Sequence, residues 1–265
     1  VKTGTGTQTL SGANTVNGLT TINQGSIFLA TGASLAGTVQ NNATFINSGS
    51  VAGQVTNAGT LVSAGTLAGG LVNNAGATAN LANAVNGAIT NSGAITLTAG
   101  LSGSPGFTQN IGGSLNLAGF NATLGSIAGN GAIQLGAGTL TAGTSNASTS
   151  FDGIISGTGS FNKAGTGTLT LGGSNTAAAN FTGTVNVNAG ALILNGQFGD
   201  VIANSANLSL ANGATLAGSG SFLGNISLGA GAILAPGNSP ATIAIGGNLL
   251  LDSASILNFE LAQAG

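Results

Sequence analysis

Between Phe151 and Gly196 the chain is cut into short alternating segments, Thr168-Leu169-Thr170-Leu171, Thr184-Val185-Asn186-Val187 and Ala191-Leu192-Ile193-Leu194, separated by clusters of Gly, Asn and Ser. Apolar residues alternating with small polar ones have the period of two that belongs to a strand with one buried face. The intervening Gly and Asn supply turns that tolerate positive φ. No apolar stripe at helical spacing competes, so each segment reads as a strand of three to five residues.

The same grammar runs along the chain. Short apolar alternations at Thr15-Val16, Thr21-Ile22 and Ser26-Ile27-Phe28-Leu29 each meet Asn or Gly within a few residues. Asn-x-Gly recurs at Asn47, Asn57, Asn74 and Asn91, the last three 17 residues apart and the first spacing ten. A fixed period of this size marks a solenoid, in which one unit cannot bury its apolar face alone and stacks on its neighbours. Around Ser104-Pro105-Gly106 the pattern lapses, and a loop or coil boundary is expected there. Later, Gly213-Ala214-Thr215-Leu216 and Gly231-Ala232-Ile233-Leu234 stand 18 apart and echo Gly190-Ala191-Leu192. Pro236 and Pro240 bracket Gly237-Asn238-Ser239 as an exposed turn, and Ile256 to Leu261 is the most apolar strand.

Within this grammar FNKAGTGTLTLGGSNT (161–176), NVNAGALILNG (186–196), LAPGNSPATIAIGGNLLL (234–251) and ILNFEL (256–261) resemble the passenger domains of monomeric autotransporters, the bacterial type V secretion proteins. The resemblance is tight over residues 125 to 265 and compositional before that. It implies a right-handed parallel β-helix at the bacterial surface, with a translocator barrel outside this segment that anchors it to the outer membrane. The expectation is therefore an all-β fold, one β-helical passenger segment over 1–265. Its parts are an Asn-x-Gly region (1–100), a less regular stretch (101–130) and strand repeats of autotransporter type (131–265). At about 20 residues per coil this gives about 13 coils, and at roughly 4.8 Å per strand a rod of about 60 Å. The ten Phe residues are expected to stack inside it.

Composition narrows the function. Only Lys2, Lys163, Asp152, Asp200, Asp252 and Glu260 are charged, 2% of residues, against about 25% in ordinary domains. The surface must then be covered by Asn, Thr, Ser, Gly and backbone. A net charge of −2 leaves no basic patch to neutralise phosphates, so nucleic acid is not an expected partner. Hydrophobic residues reach 42%, the opposite of a disordered composition. Residues 1–10 have no apolar core behind a basic flank, and no apolar run is long enough for a membrane helix, so the chain reads as a mature, excised piece.

The residue types also bear on chemistry. With no His or Cys, nucleophilic triads and zinc-type sites lack their parts. The four acids are 48, 52 and 8 residues apart; only Asp252 and Glu260 could share adjacent strands, and solvated or turn carboxylates are expected. Lys2 and Lys163 are expected to be exposed. Gly157-Thr158-Gly159, Gly165-Thr166-Gly167 and Gly218-Ser219-Gly220 complete no phosphate-binding motif and read as turns. Six Asn-x-Ser/Thr sequons, at Asn42, Asn121, Asn146, Asn180, Asn207 and Asn225, are frequent by chance in such a composition. The threonine arrays at Thr3–Thr7 and Thr166–Thr170 could order water only if Thr aligned in successive coils, which the uneven spacings do not promise. No catalytic, cofactor or metal residue is expected. The expected partners are a second copy, a host surface, other bacterial cells or glycans, contacted through neutral Asn/Thr-rich faces by an adhesin, a self-association module or a stalk. A filament subunit stacking end to end is the alternative, and a glycan-active enzyme stands behind both.

Overall fold

A computed structural model describes residues 1–103, 105–237 and 242–259. Among these there is no helix, and every pairing between strands is parallel. The chain winds as a three-sided solenoid. The first face is one sheet of thirteen strands, from Thr20–Ile22 to Ile256–Leu257, which matches the expected number of coils. The second face runs as nine strands from Thr7–Leu10 to Ile154–Ser156. Asn175 carries it onward: its side-chain amide donates to Ile155 O at 2.8 Å and its backbone N–H to Gln197 O at 2.8 Å. Gln197–Gly199 and Ala244–Ile245 then continue this face through Ser221–Leu223. On the third face, four strands from Ala13–Asn14 to Thr66–Leu67 connect through bridges at Leu67–Val85 and Leu101–Ala122 to the strands that end at Leu249–Leu251.

Alternation explains the core. Within each strand the burial switches residue by residue, as in Thr168–Leu171 and Ala191–Leu194, and the inward residues form one continuous cluster along the molecule. On the first face Val39, Val55, Leu71, Ile89, Phe107 and Ile127 stack coil on coil. Parallel pairing in register places like residues above one another, so each coil extends a column begun below it. Seven phenylalanines are buried, and Phe198 packs against Phe181 at 4.8 Å and against Phe161 and Phe222 at 6.3 Å between ring centres. Three depart from the expectation: Phe28 points outward and is half-buried, and Phe120 and Phe259 are exposed.

The corners depend on glycine where coils touch. A Cβ on Gly173 would collide with the carbonyl oxygen of Gly153, one on Gly196 with that of Gly173, and one on Gly220 with that of Gly196. This column lets backbones at one edge stack without side chains between them. The stretch 101–120, expected to hold a loop or coil boundary, carries strands Gly106–Gln109 and Ser114–Asn116 on two faces. Pro236 ends a strand on the first face; the rest of the expected proline turn, with Asn238, Ser239 and Pro240, lies outside the described residues. So do Glu260 and Leu261.

Candidate functional site

The polar residues that the solenoid buries come first, because they decide whether chemistry is available inside. On the first face the inward column that starts at Ile22 changes to amides. Asn41 Nδ2 donates to Asn57 Oδ1 (2.7 Å), Asn57 to Asn73 (2.8 Å), Asn73 to Asn91 (2.8 Å) and Asn91 to Gln109 Oε1 (3.1 Å). Each Asn also donates to a backbone carbonyl of a neighbouring coil, Asn57 to Thr78 O and Asn91 to Ser114 O. All five amides are fully buried, and the chain of bonds satisfies them up to Gln109 Nε2, which has no partner. The next position in the column is Gly129, with no side chain to accept.

This register corrects the Asn-x-Gly reading. The ladder passes through Asn73, not Asn74, and its steps are 16, 16, 18 and 18 residues. Asn47 belongs to the second face, where it donates to Ser63 Oγ at 3.0 Å. The uneven first spacing joined residues on two different faces.

Lys163, expected to be exposed, and Asp200, expected as a solvated or turn carboxylate, are both buried, Asp200 within a turn. Lys163 is 1% exposed. It occupies an inward position between Ala142 and Val187, and its Nζ donates to Ala164 O (2.7 Å), Gly165 O (2.8 Å) and Ala189 O (3.1 Å). Burial pulls this amine below the ordinary lysine value. Its stem packs like an aliphatic residue while the head reaches the corner carbonyls. Asp200 is 2% exposed. Its carboxylate accepts from Asn180 Nδ2 (2.7 Å), from Ser205 Oγ and N–H (2.5 and 3.1 Å), and from the N–H groups of Ile202 and Ala203 (3.0 and 3.2 Å). The bonds from Asn180 and Ser205, with the backbone donors behind them, hold it well below the usual carboxylate range against the opposing effect of burial. Every oxygen of Asp200 is engaged in fixing the 200–205 turn, which leaves it no lone pair aimed at a reactant.

The remaining acids serve turns. Asp252 accepts from Ala254 N–H at 3.0 Å and Asp152 from Ser150 Oγ at 3.2 Å, both exposed. Among the described residues no three of the acids come together.

What the solenoid offers to solvent is a patterned surface. On the third face two outward columns run side by side across five coils: Thr139, Ser160, Thr184, Asn207, Asn225 and Thr141, Asn162, Asn186, Ser209, Ser227. None is charged. Neighbours bond along the columns: Ser160 with Thr184 (2.8 Å), Asn186 Nδ2 to Asn162 (2.8 Å), Ser209 Oγ to Asn186 (2.8 Å) and Asn225 Nδ2 to Asn207 (3.2 Å). Thr184, Asn186, Asn207 and Asn225, with Leu250, border a groove of about 390 Å³ on this face. On the second face Thr7, Ser26, Thr44, Thr60 and Thr78 also align. The uneven spacings therefore do not prevent a hydroxyl column, because the corner loops absorb the differences in coil length.

A family model described as passenger-associated-transport-repeat matches residues 1–27 and 161–194. The chain fits an autotransporter passenger domain with β-repeats. No curated protein and no solved structure matches the chain. The second match falls on the stretch that carried the resemblance. The first lies where the resemblance is only compositional. Lys2-Thr3-Gly4-Thr5-Gly6-Thr7 and Lys163-Ala164-Gly165-Thr166-Gly167-Thr168, which contain the two threonine arrays, are two copies of one element. The structure superposes their pairing. Thr7 pairs with Ser26 and Leu10 with Leu29 in one copy, Thr168 with Ala191 and Leu171 with Leu194 in the other. The first set lies on the second face of the solenoid and the other on the first face. The repeat family implies an extracellular or cell-surface location and points to a structural passenger.

Proposed function

We propose that this passenger segment is a non-catalytic rod, anchored to the outer membrane through a translocator barrel outside the segment, that acts as an adhesin, a self-association module or a stalk. The observation that carries the reading is the pair of uncharged outward columns on the third face, ten side chains over five coils that all donate or accept hydrogen bonds. Such a face meets another surface with little like-charge repulsion. Each new bond contributes only about 0.5–1.5 kcal/mol net, so useful binding comes from many at once. A second copy, a host surface, another bacterial cell or a glycan are the partners this chemistry suits. The buried carboxylate of Asp200 is taken up by Asn180 and Ser205, which favours a structural role for it.

The test compares cells displaying the passenger with and without these 265 residues. Loss of clumping or attachment on deletion supports the contact role, and unchanged clumping and attachment reduce the segment to a stalk. A filament subunit stacking end to end is the second reading, favoured by the in-register parallel pairing that lets one coil extend the columns of another. Fibres many times longer than one rod in electron micrographs would favour it, and single rods would reject it.

A further inference from the structure

The two repeat copies share more than their sequence. Lys163 Nζ gathers Gly165 O and Ala189 O, the first in the turn that follows it and the second in the turn one coil on. Lys2 Nζ donates to Gly4 O and to Gln24 O. Gly4 corresponds to Gly165 by the alignment of Lys2 with Lys163, and Gln24 corresponds to Ala189 by the pairing of Ile22 with Lys2 and of Val187 with Lys163. The same amine therefore bridges the same two turns in both copies. It does so on different faces: Lys2 joins the first and Lys163 the third. The arrangement belongs to the repeat and not to one side of the solenoid.

We infer that the lysine of the repeat is a positioning residue, a clamp that ties the turn after it to the equivalent turn of the next coil and so fixes the register in which that coil is laid down. An inward lysine in an aliphatic column is costly unless its donors are used. At Lys163 three N–H donors meet three carbonyls. All three acceptors are backbone, so the clamp needs no particular side chain on the coil above. Thr166 N–H donates to Asn146 Oδ1 on the coil below, while Ala191 N–H on the coil above donates to Gly167 O and Asn188 N–H to Lys163 O. None of these bonds uses the lysine side chain, so all three report on the turns it holds. The inference does not depend on what the outer faces bind.

Lys163→Met keeps the length and apolar stem of the side chain and removes the donors. Amide hydrogen exchange in this variant is expected to accelerate at least tenfold at Thr166, Asn188 and Ala191, with Thr20 and Asn42, many coils away, unchanged. Uniform acceleration along the rod, or no change at the three reporters, would overturn the clamp. The wild-type chain gives a second reading that does not need the variant to fold. An amine-reactive reagent should modify Lys163 at least a hundredfold more slowly in the folded chain than in the same chain unfolded in urea. Equal rates would show that the turns part freely and would equally refute the inference.

Discussion

The two halves of the solenoid solve the same packing problem with opposite materials. From Asn41 to Gln109 the column that begins at Ile22 is made of amides, with coils of 16 to 18 residues. Beyond Gly129 the same column continues as Phe151, Leu171 and Leu194. Coils there lengthen to 23 and 24 residues between Thr168, Ala191 and Thr215, and Lys163, Asp200 and a cluster of four phenylalanines occupy the interior. An amide column specifies register, because each rung must offer both a donor and an acceptor to its neighbours. An apolar column tolerates bulk and longer coils but says less about which coil sits on which. Both lysine clamps stand outside the amide column, Lys2 before Asn41 and Lys163 beyond Gln109, where that column does not supply this information.

Substitutions can break the contrast, and the largest effect is expected in the apolar half. Phe198→Ala removes the ring that contacts three others and should cost about 3–5 kcal/mol in denaturant unfolding. In the amide half Asn73→Leu interrupts the ladder at its middle. It deprives Asn57 of an acceptor and leaves Asn91 Oδ1 and Ala94 O without that donor, for an expected loss of about 2–4 kcal/mol. Gln109→Leu at the ladder's end should cost about 1 kcal/mol or less, since the lost bond to Asn91 is offset by removal of a donor already unpaired. Equal losses at positions 73 and 109 would show that the amides act singly and not as a column.

Titration offers a smaller effect that separates the two buried charges. With no His or Cys, stability should be flat between about pH 5 and 7. Asp200 has a depressed folded value, so its contribution is complete above about pH 4 and fades as pH falls below that range. The fall should be shallower in Asp200→Asn. Lys163 is depressed too, but for a base the sign reverses. The unfolded chain holds the extra proton below about pH 10.4, so stability should rise as pH climbs toward that value. The neutral amine keeps two N–H donors, so the clamp persists through this change. Lys163→Met should abolish the rise, and an unchanged rise would place its origin elsewhere.

Much of the architecture was legible because alternation is a local signal. The segments Ser26–Leu29, Thr168–Leu171, Thr184–Val187 and Ala191–Leu194 are strands with the bounds the sequence suggests. The Gly-Ala-x-Leu units fall in register, Ala191 on Thr215 on Ile233. What failed was assignment to a face. Asn73 and Asn74 are adjacent, and only the coil length decides which one points inward; Asn47 and Asn57 look like one series and occupy two sheets. The burial of Lys163, and of Asp200 within its turn, is not legible because charge ordinarily predicts exposure. Their partners are mostly backbone groups of turns, which no side-chain pattern reveals. Asn180, twenty residues from Asp200, carries the one long-range side-chain bond to that carboxylate.

The recurrence of one element on two sides of the prism separates what a segment says from where it stands. A cylinder assembled from such words has no preferred compass bearing. A corner loop gaining a few residues lengthens one circuit without scrambling those above it, and a duplicated unit can join wherever the winding happens to arrive. Lineages of molecules built this way can therefore grow by splicing, and can turn a fresh flank toward the outside while the interior goes on as before.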